Sequence, residues 1–306
     1  MSAHAATARL SEVRPTIRSI GVVGQAGYDR FEATLEQLRR IADANGVELR
    51  PERLLAQQMP GAALFQPGEV DLLVTLGGDG TLLRGARLVA PFNTPVLGIN
   101  LGYLGFLTSI NPDAMPALLP RLFTGEYWLD VRFTLEARVV SNGGEEGESF
   151  VALNDAVLHK GGFARVIRLA MFVGTEHQEV ARYSADGIIL ATPTGSTAYS
   201  LSSTGPIVVP SVDCIVATPI CAHSLVIRPL VVPASTLITV EAISGAEELM
   251  LTVDGQDGAS LRPGDRLLVQ RGEPTVPLVR FAGQNFFSTL RRKLNWGLEA
   301  ADRGRT

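Results

Sequence analysis

The spacing of apolar residues changes once along the chain, near residue 125, and that change restricts the possible fold more than any other feature. Before it, short apolar runs alternate with helix-like segments: "TIRSIGVVG", "YDRFEATLEQLRRIADANG", "DLLVTLGG", "GTLLRGARLVA" and "TPVLGIN". In the first helical segment Phe31, Leu35, Leu38, Ile41 and Ala42 recur at helical spacing, with Asp29 placed to cap its start and Gly46 its end. Strands this apolar, separated by helices, predict a parallel sheet covered on both faces. The segment "PDAMPALLPRLFTGEYW" predicts one more helix. Beyond it "DVRFTLEARVV" alternates, with Val131, Phe133, Leu135, Ala137 and Val139 on one side, as in a half-buried strand. Strand-like runs then follow closely: "VALNDAVLH", "RVIRLAMFV", "GIILATP", "CIVATPI", "LITVEAI", "ELMLTVDG", "DRLLVQ" and "PLVRF". They predict a largely antiparallel layered sheet, with "SNGGEEGES" as an exposed hairpin loop. Finally "QNFFSTLRRKLNWG" predicts a helix carrying Phe286, Phe287, Leu290 and Leu294, with Gly297 as its stop.

The expected fold class is therefore an α/β N-terminal domain with a parallel Rossmann-like sheet and an all-β, sandwich-like C-terminal domain. Residues 1–15 read as a flexible tail, 16–125 as the α/β domain and 126–282 as the all-β domain. Residues 283–306 read as a helix and tail that pack back on the α/β domain. A chain of 306 residues is long enough for two such cores. A net charge of −4 supplies no general basic field, which argues against a nucleic-acid partner. Of the 27 basic residues only Lys160 and Lys293 are lysines, and no Gly-Lys pair occurs, so a Walker-type phosphate loop is excluded. Cys214 and Cys221 lie in an apolar stretch and read as buried reduced thiols. No run approaches the roughly 20 apolar residues of a membrane span, and residues 1–14 lack a signal-peptide core. The expectation is a cytoplasmic protein without a membrane partner.

Two glycine turns follow predicted strands. The spacing of Gly21, Gly24 and Gly27 in "GVVGQAG" is not that of a dinucleotide fingerprint, and a structural turn stands beside a phosphate contact as its reading. The "LGGDGTLL" turn is more specific: glycines on both sides of Asp79 permit close backbone approach where a helix opens. Asp79 is then either the cap of that helix or a base that accepts a hydroxyl proton while backbone N–H groups hold phosphate oxygens.

The "GGDGT" of residues 77–81 resembles the signature of the superfamily of NAD kinases, lipid kinases and phosphofructokinases. The later segments "GINLGYLGFL", "LNDAVLH", "SADGIILATPTGSTAYSLS" and "PLVVPASTLI" resemble NAD kinases in order and spacing, over about residues 17–297. The resemblance implies the NAD kinase fold and transfer of the γ-phosphoryl group of ATP to the 2′-hydroxyl of the adenosine ribose of NAD, giving NADP and ADP. Asp79 would be the general base, with Mg²⁺ or another divalent metal accompanying ATP and no dedicated protein metal cage. Matching positions imply contacts to the substrates from Asp79, Gly80, Arg84, Phe106, Asn154, Asp155, Arg165, Asp186, Thr197, Ala198, Tyr199, Ser202 and Gln256. Many relatives carry glutamate where this chain has the shorter Asp155. A homodimer or homotetramer is implied as well. His223 matches a family histidine near the adenine pocket, without a catalytic role.

Each of these residues also has a plainer reading. Asn154, Asp155 and Asp186 suit strand-end turns, "PTGSTAYSLS" suits a hydroxyl-capped helix start, and Arg84 suits a solvated helix face. A lipid or sugar-phosphate kinase and a non-catalytic NAD sensor are the competing functions. The choice between NAD and NADH, and between ATP and polyphosphate, is open at this level.

Overall fold

The computed structural model describes residues 16–103, 105–161, 166–224, 226–244 and 249–295. The expected tails, Arg165 and the Gly297 stop lie outside the described residues. The chain divides into two compact units, residues 1–131 with 276–306, and residues 132–275.

The first unit begins with β1 (Ser19–Gly24), α1 (Phe31–Ala44) and β2 (Glu48–Pro51). Next come β3 (Leu72–Gly77), α2 (Asp79–Val89) and β4 (Val96–Asn100). The strands lie parallel in the order β2-β1-β3-β4, with Ile20 opposite Leu72 and Leu73 opposite Val96. Every residue of β3 and β4 is buried, as an interior parallel strand covered on both faces requires. Phe31, Leu35, Leu38 and Ala42 of α1 pack into this core, each large side chain contributing about 1.5–3 kcal/mol. Asp29 does not cap α1: Arg30 holds the N-cap position and no side chain bonds there. Gly46 does sit past the helix end, with φ +66°. The single helix expected over "PDAMPALLPRLF" is broken into a 3₁₀ turn (Pro112–Ala114), α3 (Met115–Leu118) and α4 (Pro120–Phe123). Pro116 and Pro120 lack the N–H a continuous helix would need.

The second unit contains most of β5 (Trp128–Val140), then β6 (Glu146–Ala152), β7 (Asp155–Lys160), β8 (Ile167–Val173), β9 (Gln178–Ala185) and β10 (Gly187–Ala191). After the short α5 (Tyr199–Ser202) come β11 (Cys214–Ile220), β12 (Leu230–Pro233), β13 (Ile238–Ser244), β14 (Leu249–Val253), β15 (Gln256–Leu261) and β16 (Arg266–Arg280). One layer runs β16-β13-β8-β9 with β5 and β6 attached; the other runs β12-β11-β10-β7-β14-β15, with antiparallel pairs throughout. Leu135, Leu169 and Val240 from the first meet Leu158, Leu190 and Leu251 from the second in one core, the expected sandwich.

Three details differ from expectation. "DRLLVQ" and "PLVRF" are one strand, β16, whose last residues belong to the first unit, where Leu278 pairs with Val96. Val131 is exposed while Arg132 and Thr134 are buried, so β5 is covered on both sides where it enters the sandwich. Cys214 is buried but Cys221 is exposed, at a positive φ of 47° in a turn. The chain then ends its described part in α6 (Phe286–Leu294), capped by Asn285, whose Oδ1 accepts from Ser288 N at 2.9 Å.

Candidate active site

In the first unit Asp79 is the first residue of α2, after Gly78, and its carboxylate does not cap that helix. It turns to the segment after β4 instead, where Oδ2 accepts from Phe106 N at 2.7 Å and Oδ1 from Leu107 N and Thr108 N, each at 3.1 Å. Three amides fix its orientation, and Gly105 makes the approach possible: a Cβ there would stand 2.0 Å from Asp79 Oδ1. Gly77 is demanded for a similar reason, since a Cβ would meet Thr81 Oγ1 at 2.3 Å. Both glycines therefore serve the placement of Asp79 and its helix. Gly80 is exposed beside it, at the positive end of the helix dipole.

Arg84 is only partly exposed and is not free to swing. Its fork grips Glu52, with Nη2 to Oε1 at 2.7 Å, and Nη2 also reaches Gly24 O at 3.0 Å. Glu52 in turn accepts from Gly24 N at 2.8 Å and is buried, so the pair ties α2 to the turn after β1. Its partner raises the Arg84 pKa above the usual guanidinium value through the hydrogen bond, which burial opposes. A shallow hollow lined by Gly24, Gln25, Ala26, Leu54, Leu55 and Arg84 opens beside it. The "GVVGQAG" glycines read structurally: a Cβ at Gly24 would stand 2.6 Å from the Phe31 ring, and one at Gly21 2.9 Å from Phe65. Phe106, expected to line a pocket, has its ring 6.3 Å from Phe286 and 4.7 Å from Lys293 Nζ of α6.

In the second unit Asn154 lies in the break between β6 and β7 and Asp155 opens β7, both buried. The "TPTG" turn is laid directly on them. Thr192 N donates to Asn154 O at 2.8 Å, Thr192 Oγ1 to Leu153 O at 2.6 Å, and a Cβ at Gly195 would stand 2.1 Å from Asn154 O. Gly195 thus admits the protein's own backbone. The hydroxyls divide by side: Ser196 bonds to Pro193 O and Ser200 to Thr218, both buried, while Thr197, Ala198, Tyr199 and Ser202 keep accessible surface.

From the β14–β15 hairpin, the buried Asp254 reaches this break and accepts the amides of Leu153, Asn154 and Asp155. Gln256 follows at the exposed start of β15. Among the described residues no donor meets the Asp155 carboxylate itself. Burial, and then the charge of Asp254, push its pKa up to about 7. Asp186 sits at the other end of β10, paired with Lys160 Nζ at 2.7 Å. Five strand residues separate these carboxylates, roughly 16 Å at strand rise. His223 is exposed, with its amide on Ser184 O.

Glu52 and Asp254 were missed from the sequence. The Asp-Gly pair of "VDGQ" does announce a tight hairpin, and both residues have positive φ, but nothing local says where the carboxylate points. Among the described residues no group of three or more His, Cys, Asp or Glu could hold a metal ion, and no helix is long and apolar enough to cross a membrane.

A parallel α/β sheet bearing a glycine turn and an oriented carboxylate at a helix start, on a chain that also carries a β-sandwich, defines a two-domain phosphotransferase. The model of the ATP-NAD kinase N-terminal domain matches residues 30–127, and that of the ATP-NAD kinase C-terminal domain residues 153–281. The chain is 47% identical over 279 residues to an NAD kinase of Gemmatimonas aurantiaca, covering 91% of this chain and 96% of that one. It is 49% identical over 267 residues to an NAD kinase of Symbiobacterium thermophilum, covering 86% and 93%. The yeast NADH kinase structure complexed with NADH superposes with a TM-score of 0.85 at 25% identity, covering 93% of this chain and 89% of that one. An NAD kinase from Archaeoglobus fulgidus in complex with ATP gives 0.69 at 25% identity, covering 90% and 98%. The chain belongs to the NAD kinase family.

Proposed function

We propose that, in the ATP-dependent phosphorylation of NAD that this family member catalyses, Asp79 is the general base that accepts the proton of the ribose 2′-hydroxyl as that oxygen attacks the γ-phosphorus. The observation that carries the reading is the grip of three amides on the Asp79 carboxylate, which holds it away from the cap position of its own helix. Two amides occupy Oδ1 and one occupies Oδ2, so the carboxylate is fixed in direction and one lone pair, on Oδ2, is left to accept a proton. Phosphoryl transfer depends mainly on positioning and charge neutralisation, and the backbone at the start of α2, partly accessible at Gly78 and exposed at Gly80, suits phosphate oxygens.

NAD is held by the sandwich, through Asn154, Asp155, Asp186, Gln256 and the accessible Thr197, Ala198, Tyr199 and Ser202. Asp155 supports this most directly, since a buried carboxylate without a donor is completed by a ligand hydroxyl or amide. Arg84 acts through Glu52 and Gly24, and Phe106 through its amide on Asp79. One carboxylate beside a glycine turn suits a magnesium ion that arrives on the nucleotide's phosphates, where it would neutralise their charge. The protein works as a cytoplasmic homo-oligomer.

The test is NADP formation from NAD, ATP and Mg²⁺ by Asp79→Asn. A loss of about 10²- to 10⁴-fold in kcat with NAD binding retained is expected; turnover near the wild-type rate would return Asp79 to a structural part.

A further inference from the structure

We infer that Asp254 is a positioning residue for NAD: its buried carboxylate gathers three successive amides, of Leu153, Asn154 and Asp155, and so fixes the turn that presents Asn154 and Asp155. The inference rests on those two residues holding NAD.

The distances are 2.9 Å from Leu153 N to Oδ2, and 2.7 and 3.1 Å from Asn154 N and Asp155 N to Oδ1. Asp254 N returns a bond to Asp155 O at 2.9 Å, so hairpin and break are stitched in both directions across about 100 residues of chain. A break between two strands leaves its amides without ladder partners, and buried amides must find acceptors. Here one carboxylate supplies all three, at the cost of an αL backbone at Asp254, φ +51°. An uncharged acceptor would satisfy the amides with less desolvation, so the charge calls for a reason.

Asp155 gives it. The carboxylate of Asp254 is the charge facing Asp155 from β14 and β15; Ala191 and Thr192 at the end of β10 bring none, and from β5 Arg132 donates to Thr194 Oγ1 at 2.9 Å. Burial, and then the charge of Asp254, keep the proton on Asp155 toward neutral pH, and a ligand that needs its ionised form binds better as pH rises.

The experiment compares wild type, Asp254→Asn and Asn154→Ala, measuring KM for NAD, KM for ATP and kcat from about pH 6 to about pH 8.5. Asparagine tolerates αL and keeps one acceptor oxygen, but loses the charge and the bond to Leu153 N. The expected result for Asp254→Asn is a KM for NAD raised roughly tenfold or more, with kcat and KM for ATP within about threefold of wild type. The midpoint of kcat/KM for NAD should also move to lower pH, a shift that mere loosening of the turn would not produce. An unchanged KM for NAD, or a loss falling equally on kcat and ATP, overturns the inference. If Asn154→Ala also leaves KM for NAD unchanged, the placement of NAD is what failed; if it raises KM while Asp254→Asn does not, the role of Asp254 alone is wrong. Should Asp254→Asn not fold, Asp254→Glu decides: it keeps the charge but moves the acceptor oxygens, so it must raise KM for NAD while the pH midpoint stays near that of wild type, and an unchanged KM for NAD refutes the inference.

Discussion

Replacing Asp155 by asparagine should stabilise the ligand-free protein above neutral pH while weakening its hold on NAD. The buried carboxyl ionises at 3.8 in the unfolded chain and at about 7 in the folded one. Between those values the unfolded state has lost a proton that the folded state still holds, so stability falls as pH rises from about 4 to about 7 and levels off above. From about pH 5 to about pH 7 this amounts to roughly one proton over two pH units, or about 2.7 kcal/mol at 1.36 kcal/mol per unit. Asparagine has the same shape and does not titrate. Urea unfolding of both proteins at about pH 5 and about pH 8 should therefore show the variant gaining about 2–3 kcal/mol on wild type between the two conditions. A difference that does not depend on pH would refute the argument, because it would mean Asp155 ionises alike folded and unfolded. The same variant should bind NAD less tightly, the usual exchange of stability for function at a site.

Gly105→Ala should fold yet lose turnover by at least about tenfold, because the added Cβ, 2.0 Å from Asp79 Oδ1, displaces the carboxylate; steady-state kcat checks it. Arg84→Met should lower thermal stability by about 3 kcal/mol or more, since Glu52 would be left buried without its cation, and Glu52→Gln introduced on top should recover part of that loss. Iodoacetamide should modify Cys221 in the native protein and leave Cys214 intact, which peptide mass analysis reads directly; burial raises the Cys214 thiol pKa further.

Much of the fold was legible because it depends on local period. The fully apolar β3 and β4 and the 3.6-residue spacing of α1 can be read without knowing their neighbours, and the sandwich follows from alternation along β5, β8 and β13. Where the reading slipped, a non-local term decided. Prolines broke the helix over residues 112–123, and Val131 lost its expected burial because β5 is covered on both sides only from Arg132 onward.

The sites divide in the same way. "GGDGT" placed Asp79 at a helix start from the order of strand, turn and helix, which is local information, and "DGIILATPTGSTAYSLS" pointed to the family through its length. The sequence could not tell whether Asp79 caps its helix, because that depends on amides 27 to 29 residues away. It could not show Glu52 under Arg84, nor Asp254 under Asn154 and Asp155, for the same reason. Periodicity and turn chemistry are properties of a few neighbouring residues, so the sequence by itself determined the layers and the motif positions. The partner of a buried charge is whichever group the packed chain brings within about 3 Å, and only the tertiary structure decided that.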